Sequence, residues 1–435
     1  MTSEEVRKLF LDFFKKRGHK VVPSSSLIPV DDPSVLLTTA GMQQFKKYFT
    51  GEKDVQADFG TQRVTSIQKC FRTTDIEEVG DESHLTFFEM LGNFSFGPVG
   101  LDAPTDFGTQ GYFKKSAIFW AEEFLEKDLG LKIEYVSVFE GDSDVPFDQE
   151  SERVWEDLGF EGRIKKFSRA DNFWGPTGDQ GPCGPTTEIY IDNIEIWNLV
   201  FNEYIGTRFT PGDGQAEVPV LSLKPLDRKG VDTGMGFERL MKVLQKTETI
   251  FETDLFEPIK ARIMDLKPDI KPRDLRIILD HTRGATFLVA DGLRPSNLDR
   301  GYILRRILRR LALRLKLNNI SLNQLQIFIQ AVSEKYNQIY PEVGAYDKIF
   351  SVIISELMTF EKTLMKTLGR FDREVTGTES ADVLGEKLFN LYVTYGLPLE
   401  LSKELLAERA ITLAKEAEER FKQLFSEHQQ ISKAR

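Results

Sequence analysis

Residues 64–91 read VTSIQKCFRTTDIEEVGDESHLTFFEML. The run 64–72 has strand composition and ends on a cation, Arg72. Residues 73–83 are polar and acidic, contain Gly80 and read as a loop. Residues 84–91, HLTFFEML, return as an aromatic-rich strand, so the stretch predicts an antiparallel hairpin. An arginine at the inner end of a hairpin can grip a phosphate through two parallel N–H donors. Phe88, four residues after His84, can offer a flat face to a purine ring. Taken alone, a surface arginine and a core phenylalanine are the commoner explanation of such residues.

Two glycine-rich stretches lie downstream. Residues 171–192, DNFWGPTGDQGPCGPTTEIYID, set four glycines among Pro176, Pro182 and Pro185, which predicts a stiff, tightly turned loop headed by the wall of Trp174. Loops of this kind often position a small ligand. Cys183 invites a metal reading, but no second Cys or His lies near it in sequence, so ligation is not expected. The strand 195–201, EIWNLVF, alternates, with Glu195, Trp197, Leu199 and Phe201 expected on one face and Ile196, Asn198 and Val200 on the other. Residues 230–240, GVDTGMGFERL, run from a strand through Gly234 and Gly236 into a helix that carries Arg239 in its first turn. Glycines admit close backbone approach, and an arginine at a helix N-terminus favours polyphosphate. The spacing is not that of a dinucleotide fingerprint, because the third glycine is missing.

Upstream, Thr2 and Glu5 predict a capping box for a helix with the stripe Val6, Leu9, Phe10, Phe13 and Phe14, ended by Gly18. Residues 20–22 and 34–38 read as short strands, and 206–219 as a loop. Glycine thins out from about residue 249 and the pattern becomes helical. The expectation is an α+β domain over 1–246 followed by a helical domain over 247–435. The 435 residues carry a net charge of −11, which argues against nucleic-acid binding over the whole surface but permits a local basic patch. Two cysteines exclude a disulfide scaffold and fit a reducing, cytoplasmic setting, and four histidines leave little for a zinc site. No apolar run approaches the ~18 residues of a membrane span, so no membrane partner is expected. The polar, acidic helix start does not read as a signal peptide.

FRTTD…HLTFF resembles the arginine-bearing motif 2 of the class II aminoacyl-tRNA synthetases, and GMGFERL resembles their motif 3. FFEMLGNFSFG, DNFW…GPCGP, EIWNLVF and VDTGMG resemble the alanine-specific family within that class, as do SSSLIPVDDPSVLLTTAGMQQFK near the start and RPSNLDRGYILRRILRR in the second half. The matches run in order over nearly the whole chain. The resemblance implies an antiparallel sheet flanked by helices, then a helical domain. It implies ATP-dependent activation of alanine to an adenylate and transfer to the 3′ end of tRNA(Ala). By the same resemblance Arg72 would hold the α-phosphate, steady the attacking carboxylate and stabilise transition-state charge. His84 and Arg239 would contact the outer phosphates, and Phe88 would stack on adenine with Arg239 on the far side. Asp232 would pair with the alanine ammonium, while Trp174, Asn198, Val200 and Gly234 would close a methyl-sized cavity. Mg2+ is implied on the phosphates, with Glu195 and Glu89 as candidate ligands. The alternative is a tRNA-free ligase of the same fold that loads a carrier protein or small molecule.

Between 294 and 317 eight basic residues accompany a single acid, Asp299. Leu304, Ile307, Leu308, Leu311 and Leu315 form an apolar stripe, which leaves the arginines for the other faces. A solvated charged helix would look similar, but arginine clustering in an acidic chain favours phosphate contact. With the resemblance, Asn297, Arg300, Arg305, Arg306, Arg309 and Arg310 are expected to bind the tRNA acceptor stem, with Asn297 in the minor groove at its G·U pair. The chain also departs from the family pattern. In LYVTYGLP (391–398) Val393 replaces an Asp that reads the stem, the loop after Arg72 is short, and 98–111 is an additional loop. The chain ends at Arg435, short of an editing domain with zinc and a dimerising region, so a monomer without internal editing is expected.

Overall fold

The computed structural model describes residues 1–30, 32, 34–209 and 220–433. The chain packs as two compact units, Met1–Asp75 with Asp81–Pro258, and Ile76–Gly80 with Ile259–Arg435. The first unit runs past residue 246 because Ile250 and Phe251 are buried and Asp254 is tied back: its carboxylate accepts from the Ser3 N–H at 2.8 Å and from Gln245 Nε2 at 2.9 Å.

Among the described residues the first unit holds a nine-stranded sheet. Its strands are β1 (Lys20–Val21), β2 (Arg63–Phe71), β3 (Phe87–Phe96), β4 (Tyr135–Phe139), β5 (Ile164–Phe167), β6 (Phe173–Trp174), β7 (Gln180–Ile191), β8 (Ile194–Phe209) and β9 (Val220–Gly236). The order is β1-β2-β3-β9-β8-β7-β4-β5, with β6 on β7. The β1/β2 and β4/β5 pairs are parallel, so the sheet is mixed rather than wholly antiparallel. The other pairs are antiparallel. The expected hairpin is β2/β3, in register from Arg63 opposite Ser95 to Phe71 opposite Phe87. Arg72 and His84 therefore lie in the connection, just outside the strands that were expected to include them.

The N-terminal helix Ser3–Lys15 forms because Thr2 and Glu5 satisfy its first N–H groups reciprocally and its apolar stripe has a partner. Phe10 and Phe14 lie 6.0 and 6.3 Å, centroid to centroid, from Trp197 of β8, and Phe124 adds a third ring at 6.0 Å. These contacts bury one face of the central strands and leave the opposite face for a cavity. Residues 34–38 are not a strand. Nor is 171–192 one loop: Arg169–Asn172 is a helical turn, and from Gln180 the chain is strand β7 inside the sheet. Pro185 fits there because the β7/β8 register slips between Cys183 and Thr186, while Pro182 lies in register opposite Ile205 just before the slip. Gly184 sits at that slip, where a Cβ would lie 1.8 Å from the Phe201 carbonyl oxygen. Of the expected loop 206–219, residues up to Phe209 continue β8, and 210–219 lie outside the described residues.

The additional 98–111 loop is anchored rather than free. The Arg63 guanidinium donates to the Asp106 carbonyl at 2.7 Å and to its carboxylate at 3.0 Å. Asp102 accepts from the N–H groups of Phe113, Lys115 and Ser116 at the start of the Lys114–Glu122 helix.

The second unit is helical, built mainly from Pro272–Ala290, Asp299–Leu317, Leu325–Tyr336, Tyr346–Glu374, Ala381–Tyr395, Leu399–Glu408 and Lys415–Lys433. Among the described residues no helix is long and apolar enough to cross a membrane.

Candidate active site

A cavity of about 290 Å³ opens in the first unit, against β3, β7, β8 and β9. Arg72, His84, Phe88 and Arg239 line it, and so do Trp174, Asn198, Val200, Asp232 and Gly234. The structure thus gathers in one place all nine residues expected at the catalytic centre.

One end is cationic and aromatic. The Arg72 backbone N–H donates to Thr86 O at 2.8 Å, which closes the hairpin mouth, and its guanidinium lies over the Phe88 ring, 4.8 Å from the centroid. His84 is held by Asp81, whose carboxylate accepts the Ser83 and His84 backbone N–H groups and lies 2.5 Å from His84 Nδ1. Arg239 projects from the Phe237–Gln245 helix and pairs with Glu195, Nη1 to Oε2 at 3.0 Å.

The other end is acidic and buried. Asp232 lies on β9 opposite Val200 of β8, with Gly234 opposite Asn198. Its carboxyl is 5% exposed, and burial pushes it up to about 8. Among the described residues no side chain hydrogen-bonds or ion-pairs with it. A Cβ on Gly234 would stand 2.8 Å from Met90 Sδ, so the cavity floor there is the Met90 side chain. Asn198 donates from Nδ2 to Glu188 Oε1 at 3.0 Å, while its Oδ1 is buried without a partner.

Sequence reasoning missed Glu188. It also lines the cavity, and burial, with the nearby Glu195 charge, pushes its carboxyl up to about 7. The available signal was an acid in the strand-like run TTEIYI, hidden once 171–192 was read as a loop. The expected alternation of 195–201 fails at one place. Trp197, Leu199 and Phe201 are buried on the core side, but Glu195 lines the cavity together with Ile196. The register slip beside Tyr190 inserts an extra residue in β8 and turns Glu195 to the cavity side. Glu89, the other magnesium candidate, does not line the cavity. Its carboxylate is paired two-fold with the buried Arg7 guanidinium, Nε to Oε1 at 3.0 Å. Cys183 is a buried free thiol, pushed up to about 12 by burial. Among the described residues no three His, Cys, Asp or Glu side chains are grouped to hold a metal on their own. Magnesium on nucleotide phosphates needs only one or two carboxylates, and Glu195, at the partly exposed edge of the cavity, fits that requirement.

In the second unit the arginines of Asp299–Leu317 divide into two sets. Arg310 is 4% exposed: its guanidinium donates to the Val79 carbonyl at 2.9 Å and to Glu404 at 2.8 Å, and also reaches Ile76 O. Arg314 is fully buried against Asp274, Glu404 and Glu408. The expectation that Arg310 faces an RNA phosphate is therefore corrected, because its donors are taken up inside the unit. Arg305 pairs with Glu356 at 2.7 Å and donates to Asn297 Oδ1, and Arg306 pairs with the Glu77 carboxylate. Arg309 stands over the Phe360 ring, 5.1 Å from its centroid. Arg300 and Asn297 lie at the start of the helix, with Asn297 exposed. Val393 is exposed on the Ala381–Tyr395 helix.

The chain belongs to the class II tRNA synthetases: residues 5–435 match the family described as tRNA synthetases class II (A). Three similar relatives carry one name. An alanine–tRNA ligase of Rubrobacter xylanophilus is 42% identical over 451 residues, covering 95% of this chain and 48% of the relative. That of Thermotoga maritima is 41% identical over 444 residues, covering 94% and 47%. That of Borreliella afzelii is 39% identical over 465 residues, covering 100% and 73%. The chain spans about half the length of the first two.

Proposed function

We propose that this chain activates L-alanine with ATP and transfers it to the 3′ end of tRNA(Ala). One observation carries the reading: a single cavity has two guanidinium groups and an aromatic face at one end and an unpaired, buried carboxylate beside a small pocket at the other. An isolated buried carboxylate is costly, so Asp232 suits a ligand that brings its own cation. The alanine ammonium does so, and Trp174, Asn198, Val200 and Gly234 surround its methyl group. Phe88 takes the adenine face. Arg72 holds the α-phosphate and the alanine carboxylate, and His84 and Arg239 take the outer phosphates. Glu195 would hold Mg2+, which neutralises phosphate charge when bound.

An oxygen of the alanine carboxylate attacks the α-phosphorus, the bond to the β-phosphate oxygen breaks, and pyrophosphate leaves. The attacking carboxylate is already ionised at neutral pH, so no general base is needed. The residues act by positioning and charge stabilisation. On the tRNA side, Asn297, Arg300, Arg305, Arg306 and Arg309 meet the acceptor stem, and Arg310 fixes the unit that presents them.

Alanine-dependent exchange of pyrophosphate into ATP tests the first step. Charging of tRNA(Ala) with and without its G·U pair, run with alanine, glycine and serine, tests the second. Absence of alanine-dependent exchange would refute the proposal.

A further inference from the structure

We infer that Glu188 is a positioning residue for amino-acid binding: it orients the Asn198 side-chain amide so that Oδ1, not the amide nitrogen, is offered to the ligand's amino group. The inference rests on the proposed alanine site and adds a residue to it.

The geometry is a row across three strands. Glu188 on β7 lies directly opposite Asn198 on β8, which lies opposite Gly234 on β9, with Asp232 one step along β9 on the same face. Asn198 Nδ2 donates to Glu188 Oε1 at 3.0 Å. The Glu188 carboxylate is itself held, accepting from the Tyr190 hydroxyl at 2.6 Å and from the Ser137 hydroxyl at 3.4 Å. An amide turned the other way would set its oxygen against a carboxylate oxygen, so the charge on Glu188 selects one of two nearly isosteric orientations. The selected orientation leaves Asn198 Oδ1 as a buried acceptor without a partner, lining the same cavity as Asp232. Two acceptors on neighbouring strands then converge on one donor-rich group. A primary ammonium, with three N–H donors, satisfies both. Asp232 supplies the countercharge, and Asn198, held by Glu188, supplies direction.

The test is a double-mutant cycle on the full chain, with alanine affinity read by titration calorimetry at pH 8 and folding checked by thermal unfolding. Glu188→Gln removes the charge that selects the amide orientation and should weaken alanine binding ~10-fold, with ATP binding unchanged. Asn198→Ala should weaken it at least as much. In the Asn198→Ala background, Glu188→Gln should add nothing, because there is no amide left to orient. Full effect of Glu188→Gln in both backgrounds would mean that Glu188 touches the ligand directly and would overturn the inference, as would undiminished alanine affinity in Glu188→Gln. If Glu188→Gln does not fold, Tyr190→Phe, which deletes one of the bonds holding the carboxylate, should weaken alanine ~3-fold through the same amide, and no change would again overturn it. Failure of the unaltered chain to bind alanine at all defeats the proposed function as well, so the two failures are distinguishable.

Discussion

Replacing Asp232 by asparagine separates what the carboxylate does for the site from what it does to the fold. Asp232 is 5% exposed, and burial raises its carboxyl from the ordinary 3.8 to about 8. The folded chain therefore binds this proton more tightly than the unfolded chain. The contribution to stability is greatest below about pH 4 and is lost progressively as pH rises toward 8. Each tenfold difference in proton affinity corresponds to about 1.4 kcal/mol, so the loss is on the order of 4 kcal/mol at pH 7 and about 5 to 6 kcal/mol above pH 8. Asparagine is nearly isosteric and does not titrate. The variant should match the parent near pH 4 and exceed it by several kcal/mol at pH 8, while losing alanine-dependent pyrophosphate exchange. Urea unfolding followed by intrinsic tryptophan fluorescence is the suitable assay, because all four tryptophans, Trp120, Trp155, Trp174 and Trp197, lie in the first unit and report on that unit alone. Parallel stability curves for parent and variant from pH 4 to 8, or a variant less stable at pH 8, would refute the picture of an unpaired carboxylate kept buried for a ligand.

Arg72→Ala should lower the rate of alanine activation by ~10²–10³-fold with no loss of fold, since Arg72 is exposed and lies outside the strands; pyrophosphate exchange and thermal unfolding together check this. Arg310→Ala should destabilise the helical unit by about 3–5 kcal/mol, because it leaves a buried ion pair broken, whereas Arg306→Ala should leave stability unchanged and reduce the salt slope of tRNA binding by about 1. Circular dichroism melts and salt-titrated binding distinguish the two outcomes. Asn297→Ala should spare alanine activation and reduce charging of tRNA(Ala); equal loss of both steps in exchange and charging assays would count against its assignment to the stem. Gly234→Ala should raise the KM for alanine but not for ATP, since the added methyl enters the cavity beside the flexible Met90 side chain rather than meeting backbone.

The candidate cavity was legible because its residues are tied to local punctuation: Arg72 and His84 at the mouth of a hairpin, Asp232 and Gly234 just before a helix start, and Asn198 and Val200 on one face of a strand. Local patterning failed where pairing, not composition, decides conformation. Residues 180–191 look like a loop because they hold Gly181, Pro182, Gly184 and Pro185, yet the strand accommodates them in the sheet around a register slip and brings Glu188 into the site. A second slip turns Glu195 to the side that strict alternation denies it.

The arginine helix shows the same limit for charge. Counting along 294–317 finds a strongly basic segment, but the carboxylates that neutralise it, Asp274, Glu356, Glu404 and Glu408, come from other helices, and the carbonyls that hold Arg310 come from residues 76 to 79. A clue was nonetheless present. Ile303, Ile307, Arg310 and Arg314 follow one another at steps of four, three and four residues, so they share a helix face. Two of those positions are plainly apolar and buried. Arginines that continue an apolar face are candidates for buried ties, yet Arg306, three residues after Ile303 and four before Arg310, lies on the edge of the same face and keeps part of its guanidinium in solvent. Periodicity therefore points to buried arginines on this helix, but the partners each one finds divide supports from contacts, and the contrast between Arg310→Ala and Arg306→Ala measures that division directly.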